Sequence, residues 1–175
     1  MEVIIIKPWR CQICGETYLG EKASDRCPFC GADGENLKSA AHYLDYGVVE
    51  MSEQSRKDCM RALELENDNM VFYQKCAEAA DNQVSQSIFK RLGKQEGEHA
   101  EILEDMMDIE TEELPDPEIP DNDYERFEAA NQHEKRAINF YLKVARRAPE
   151  PRVRQVFRAL SDIETEHLNM ANIFK

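Results

Sequence analysis

Two short strings, Glu96-Gly97-Glu98-His99 and Glu164-Thr165-Glu166-His167, lie 68 residues apart in this chain. The same offset carries Glu66 onto Glu134, Phe72 onto Phe140, Tyr73 onto Tyr141, Phe89 onto Phe157 and Leu92 onto Leu160. An internal repeat constrains architecture before any single residue does, because each copy must fold into the same unit. Here the unit holds a Glu, a Tyr seven residues later, and Glu-x-x-His thirty residues after the first Glu. These are metal-ligand residue types, so the repeat predicts a two-metal site as well as a fold.

From Ser52 onward the spacing is helical. Residues 52–80 form a first helix with Ser52 as N-cap, 84–109 a second and about 122–147 a third; a fourth follows Pro149 and Pro151 and nearly reaches Lys175. Asp81 and Asn82 break the first pair. The stretch from Glu110 to Asp121 carries Pro115, Pro117 and Pro120 and cannot be helical throughout. The two short connections make antiparallel hairpins. The middle one, about 12 residues of extended chain, reaches roughly 40 Å. It permits a crossover that leaves helices two and three parallel.

The expected core seams are Cys59, Ala62, Glu66, Met70, Tyr73, Ala77 on helix one and Phe89, Leu92, Glu96, His99, Leu103 on helix two. Helix three offers Phe127, Ala130, Glu134, Ile138, Tyr141, Ala145, and helix four Phe157, Leu160, Glu164, His167, Ala171. Each seam follows three-and-four spacing and puts ionisable residues at its centre. A buried unpaired carboxylate costs several kcal/mol, so four of them facing one another would unfold a bundle stabilised by about 5–15 kcal/mol. Two divalent cations reverse the balance, with neutral His99 and His167 completing the set. A lone Glu-x-x-His belongs on a solvated acidic face; two copies in register with a seam Glu and a seam Tyr do not. Oxygen-rich ligation with imidazole suits iron or manganese, and Glu96 and Glu164 would bridge metals about 3.5–4 Å apart. Tyr73 and Tyr141, one heptad past Glu66 and Glu134, are either hydrogen-bond donors to ligand carboxylates or plain core aromatics. Glu98 and Glu166 are expected in solvent, and His42 and His133 on the surface.

The N-terminal 38 residues have a different character. Cys11-x2-Cys14-Gly15 and Cys27-x2-Cys30-Gly31 form paired knuckles, and a glycine after each second Cys accepts the positive φ that turns amides toward the sulfurs. Four thiolates hold iron or zinc, and spacing alone leaves both open. A segment this short needs such a staple. Val3-Ile4-Ile5-Ile6 reads as a strand. Cys59 and Cys76, about 25 Å apart on one helix, are read as small buried hydrophobes. The expected organisation is a metal-knuckle domain at 1–38, a linker at 39–51 and a helical bundle at 52–175.

Twenty-two basic against 35 acidic side chains leave a net charge of −13, which disfavours nucleic acid and anionic membranes as partners. No apolar run approaches the roughly 20 residues of a bilayer span, and the expectation is a cytoplasmic protein.

Trp9-Arg10-Cys11-x2-Cys14-Gly15-x2-Tyr18-x-Gly20 with Cys27-Pro28-x-Cys30-Gly31 resembles a rubredoxin. Ala62-Leu63-Glu64-Leu65-Glu66 to Phe72-Tyr73, with Gln95-Glu96-Gly97-Glu98-His99-Ala100, resembles the ferritin-like domain of rubrerythrins. The resemblance implies a mainly α protein, a ferritin-like four-helix bundle behind a small rubredoxin-like knuckle domain. It implies one iron held by Cys11, Cys14, Cys27 and Cys30, with zinc as a substitute, and two irons held by Glu66, Glu96, His99, Glu134, Glu164 and His167. The implied activity is an oxidoreductase that reduces hydrogen peroxide or oxygen, fed by a donor such as a reductase or rubredoxin, and acting as a homodimer. Ferroxidase or iron-handling function is the alternative. Two features depart from typical rubrerythrins: the knuckles precede the bundle, and the further Glu expected three residues after the first ligand of helix three is Ala137.

Overall fold

The computed structural model describes residues 5–173; Val3 and Ile4 of the expected first strand lie outside them. Ile5 and Ile6 are exposed and precede β1 (Lys7–Cys11), which pairs antiparallel with β2 (Thr17–Gly20) and β3 (Leu37–Ser39) in the order β2-β1-β3. Trp9 lies opposite Tyr18 on one side and Ser39 on the other. Four helices follow: α1 (Glu53–Glu78), α2 (Gln83–Met107), α3 (Asp123–Arg147) and α4 (Pro151–Ile173).

Each helix starts where local chemistry dictates. Ser52 Oγ accepts from the Ser55 amide at 3.2 Å, Asn82 Oδ1 from Val84 and Ser85 at 3.0 Å, and Asn122 Oδ1 from Glu125 at 3.1 Å. Pro151 opens α4, where its missing amide hydrogen costs nothing. The turn between α1 and α2 is locked to the start of α3 by a reciprocal pair: the Asp81 amide donates to Asp123 Oδ2 at 3.1 Å, and the Asp123 amide donates to Asp81 Oδ2 at 2.8 Å.

Tyr73 hydrogen-bonds Glu134 while Tyr141 hydrogen-bonds Glu66. This crossed pairing requires α1 and α3 to run antiparallel. Since α2 returns antiparallel to α1, it runs parallel to α3, and the segment between them is the crossover. That segment has no regular structure and is pinned to α1: Asn67 Nδ2 donates to Thr111 Oγ1 at 3.1 Å and Lys75 Nζ to the Pro117 carbonyl at 2.7 Å.

In one respect the seams differ from their sequence reading. Met70 and Ile138 are only half-buried, whereas Asn69 and Ala137 are 4% and 1% exposed. At 3.6 residues per turn a four-residue step overshoots the inward line and a three-residue step falls back onto it.

The knuckle region sits directly on α2 and α4. Arg152 donates to the Gln12 and Ile13 carbonyls at 2.6 and 2.9 Å, Arg91 donates to the Pro28 carbonyl, and Arg26 pairs with Glu166 at 3.1 Å. Cys11, Ile13, Ala32 and Leu37 share one apolar core with Leu103 and Ile163. No helix among the described residues is long and apolar enough to cross a membrane.

Candidate metal centres

Cys11, Cys14, Cys27 and Cys30 bring their sulfurs within 4.8 Å of one another. The Cys11–Cys30 and Cys14–Cys27 separations are 3.9 and 3.8 Å, far beyond a disulfide bond. A tetrahedron with metal–sulfur bonds of about 2.3 Å has edges of about 3.8 Å, so the spacing fits a metal between the sulfurs. Gly15 and Gly31 take φ of 79° and 84°, and their amides close each knuckle onto the Cys11 and Cys27 carbonyls at 2.9 and 3.0 Å.

In the bundle, the structure gathers all six repeated ligand types. Glu66, Glu96, His99 and Glu164 form one group and Glu96, Glu134, Glu164 and His167 another, each within 4.8 Å. Glu96 and Glu164 belong to both. Every one of the six is at most 2% exposed. His167 Nδ1 lies 3.0 Å from Glu96 Oε1 and 2.9 Å from Glu164 Oε2, yet these atoms lack hydrogen-bond geometry toward each other. Both oxygens of Glu96 and of Glu164, Oε2 of Glu134 and both ring nitrogens of His167 are buried without a hydrogen-bond partner. Polar atoms that crowd together without bonding one another are directed at shared points, and two cations there satisfy them. The donor set fits two hard or borderline divalent metals.

The charges of these groups are interdependent. Burial opposes a proton on His99, but Glu66, Glu164 and Glu96 hold its pKa well above the usual imidazole range; the same contest lifts His167 to about 9. Burial favours the neutral form of Glu96 and Glu164, and the two imidazoles overcome it and draw both carboxyls down. Glu66 and Glu134 are pushed up by burial and by neighbouring carboxylates. Ring protons therefore serve where a cation can, and metal binding displaces them.

Tyr141 OH donates to Glu66 Oε1 at 2.5 Å, and Tyr73 OH donates to Glu134 Oε1. Each tyrosine thus holds the terminal carboxylate of the opposite repeat. His99 Nδ1 lies 3.2–3.6 Å from Glu164, Glu96 and Glu66, while its Nε2–H donates to the Cys30 carbonyl at 2.9 Å. A carbonyl only accepts, so this bond fixes the tautomer and leaves Nδ1 as the ligand atom of the neutral ring. His167, its repeat mate, has no such partner.

Other residues fall elsewhere. His42 is exposed and bonded to Ser39, and Glu166 is exposed. Glu98 is partly buried rather than fully solvated, and His133, expected on the surface, is half-buried against Phe72 with Nδ1–H donating to Asn69 Oδ1 at 3.1 Å. Neither joins a metal group. Cys59 and Cys76 are fully buried free thiols with pKa raised to about 12 by burial. Asn131, one turn before Glu134, is fully buried with neither amide atom bonded; its signal in the sequence is an Asn where the first repeat has Leu63.

A four-helix bundle with two carboxylate–imidazole groups, capped by a four-thiolate knuckle, is the framework of a non-haem metalloprotein. The family model described as rubrerythrin matches residues 59–174, and that for the rubrerythrin, rubredoxin-like domain matches residues 9–38. The chain belongs to the rubrerythrin family. No curated protein and no solved structure matches it.

Proposed function

We propose that this chain is a non-haem iron oxidoreductase that reduces hydrogen peroxide to water with electrons received through the four-cysteine centre. The observation that carries this reading is the bond from His99 to the Cys30 carbonyl. It joins a residue of the thiolate group to one of the bundle groups: the path runs from Cys30 Sγ through the residue's own covalent bonds to its carbonyl oxygen, across one hydrogen bond to His99 Nε2, and through the ring to Nδ1. A storage protein has no need of that connection.

Glu66, Glu96, His99 and Glu164 would hold one iron, Glu96, Glu134, Glu164 and His167 the other, and Cys11, Cys14, Cys27 and Cys30 a third. When bound, the paired irons supply two electrons to an O–O bond and the thiolate-held iron restores them singly. The balance is one peroxide, two electrons and two protons giving two waters. The chain's own residues set the conditions. Burial of all six residues excludes bulk water, Glu96 and Glu164, which belong to both groups, would serve both metals, and Tyr73 and Tyr141 hold Glu66 and Glu134 in place. An electron-donor protein, a reductase or a rubredoxin, completes the cycle.

A second reading, a ferroxidase consuming oxygen, is favoured by Ala137, which puts a methyl group where typical rubrerythrins have a further carboxylate. Stopped-flow oxidation of the fully reduced protein by peroxide and by oxygen separates the two. Peroxide should oxidise the reduced protein and regenerate the thiolate-to-iron absorption faster than oxygen does. Stoichiometric zinc in the cysteine site of protein from its native source would rule out the relay.

A further inference from the structure

The four sulfurs differ in exposure. Cys11, Cys27 and Cys30 are buried, and Cys30 leads inward to His99; Cys14 alone is partly exposed. Cys14 lines a cleft of about 880 Å³ bounded by the first knuckle, the segment 43–48 and the C-terminal end of α2 with the start of the crossover. Its walls are fixed. Gln12 Nε2 donates to the Leu44 carbonyl at 2.9 Å, the Leu44 amide returns a bond to Gln12 Oε1 at 3.3 Å, and the Val49 amide donates to the Met106 carbonyl at 3.0 Å.

Charge in the cleft is predominantly negative. Glu16, Asp45, Asp105, Asp108, Glu110 and Glu112 line it and are all exposed. The two arginines present are already engaged. Arg10 lies over the Tyr43 ring at 4.3 Å and donates to the Gly15 carbonyl at 2.7 Å; Arg152 lies over Tyr46 at 4.4 Å and donates to Gln12 and Ile13. Between the acids stand Tyr46 and Val48, 40% and 59% exposed.

We propose that this cleft is the docking surface for the electron donor, and that the donor is a one-electron carrier protein whose redox group is ringed by lysine or arginine. The inference deepens the relay reading and rests on it. Electron tunnelling falls steeply with distance, so a carrier must approach the thiolate group at Cys14, its one partly exposed member. An acidic rim speeds encounter with a basic partner and fixes its orientation. The aromatic and aliphatic groups inside it supply the apolar centre of an interface. The net negative rim disfavours phosphates, and with them a diffusing nicotinamide dinucleotide as the occupant. Two encounters, each passing one electron from the carrier to the thiolate-held iron, match one peroxide.

The test uses cytochrome c, a basic haem protein, as probe and the full chain loaded with zinc, so that association is read without turnover. Calorimetric titration should give binding that weakens as ionic strength rises. Asp105→Lys with Glu112→Lys should weaken it by about ten-fold or more. Glu78→Lys with Glu118→Lys, exposed residues at the other end of the bundle, change the net charge equally and should leave it within about two-fold. Equal losses in both pairs, or no loss in the first, would overturn the assignment. Peroxide consumption by chemically prereduced protein bypasses docking and should be the same in wild type and the cleft variant; its absence in wild type would sink the relay reading instead.

Discussion

His99 donates its Nε2–H to the carbonyl oxygen of Cys30 across 2.9 Å, and the residue after Cys30 decides whether that contact can form. Gly31 has φ of 84°, and a Cβ there would lie 2.6 Å from Gln95 Nε2 and 3.3 Å from Ile163 Cγ2. The glycine therefore serves both the knuckle turn and the close seating on α2 and α4. Gly31→Ala should destabilise the protein by about 1–2 kcal/mol through backbone strain and slow re-reduction of the bundle site in single-turnover absorption measurements. Adding Gln95→Ala removes the nearest obstruction and should recover much of the rate but not the stability. Wild-type rates in Gly31→Ala would show that the contact carries no electrons.

Tyr73 and Tyr141 make equivalent bonds to opposite repeats, so their removal should have matched effects. Tyr141→Phe and Tyr73→Phe each take one donor from a buried terminal carboxylate, at a cost of about 1–3 kcal/mol. Metal affinity should fall by about 10–100-fold in each. Iron titration of the apoprotein, followed by absorption, measures this; affinities equal to wild type would reduce both residues to core aromatics.

The fold was legible because several levels of the sequence agree. The 68-residue offset gives two equivalent hairpins, the prolines 115, 117 and 120 mark the crossover, and Ser52, Asn82, Asn122 and Pro151 punctuate the helices. The gathering of carboxylates and imidazoles was readable for the same reason, since a buried acid that recurs at one register has few alternatives to a cation. The seating of the knuckles was not readable. It depends on Gly31 meeting Gln95 and Ile163, and on Arg152 and Arg91 meeting backbone carbonyls, contacts made between separate elements that leave no periodic trace. His133 escaped for a related reason: a helix places it at the edge of its seam, and only the Asn69 and Phe72 of a neighbouring helix decide its burial.

Glu150, in the turn before α4, ties that turn to the start of α1. The Ser52 amide donates to its Oε1 and the Ser55 hydroxyl to its Oε2, both at 2.6 Å. Burial works against the charge, but these donors prevail and hold the carboxyl below its usual range. A depressed native pKa gives stability that is complete above the unfolded value, about 4.3, and is lost as pH falls through the native one. Glu150→Gln should therefore lower the urea midpoint at neutral pH and lower it much less near pH 3. An equal penalty at both pH values would mean that the charge is not what the serines recognise.

Glu96 lies in both metal groups, Glu66 in one. Glu96→Ala or Glu164→Ala should thus empty both bundle positions, whereas Glu66→Ala should weaken the first and spare the second. Iron analysis per chain, corrected for the cysteine site by its absorption, distinguishes the cases. In the metal-free protein Glu96 offsets the ring protons of His99 and His167, so metal-free Glu96→Ala should be less stable to urea than metal-free wild type. Full iron content and turnover in Glu96→Ala would remove it from the ligand set.

Ala137 lies one helical turn beyond Glu134 on the same helix and is 1% exposed. A carboxylate at this position would reach toward the metals, and with alanine each metal would have one terminal Glu and one His, with Glu96 and Glu164 shared. A site with one fixed ligand set has less means of favouring peroxide over oxygen, so wild type should discriminate weakly between them. Ala137→Glu must fit a longer, acidic side chain into a packed core beside other carboxylates, costing several kcal/mol in the metal-free protein, and a seventh ligand should offset part of that once iron is bound. Stopped-flow oxidation of both reduced proteins by peroxide and by oxygen should then show a larger peroxide preference in the variant. A strong preference in wild type that the substitution leaves unchanged would place selectivity in other residues and make Ala137 irrelevant to it.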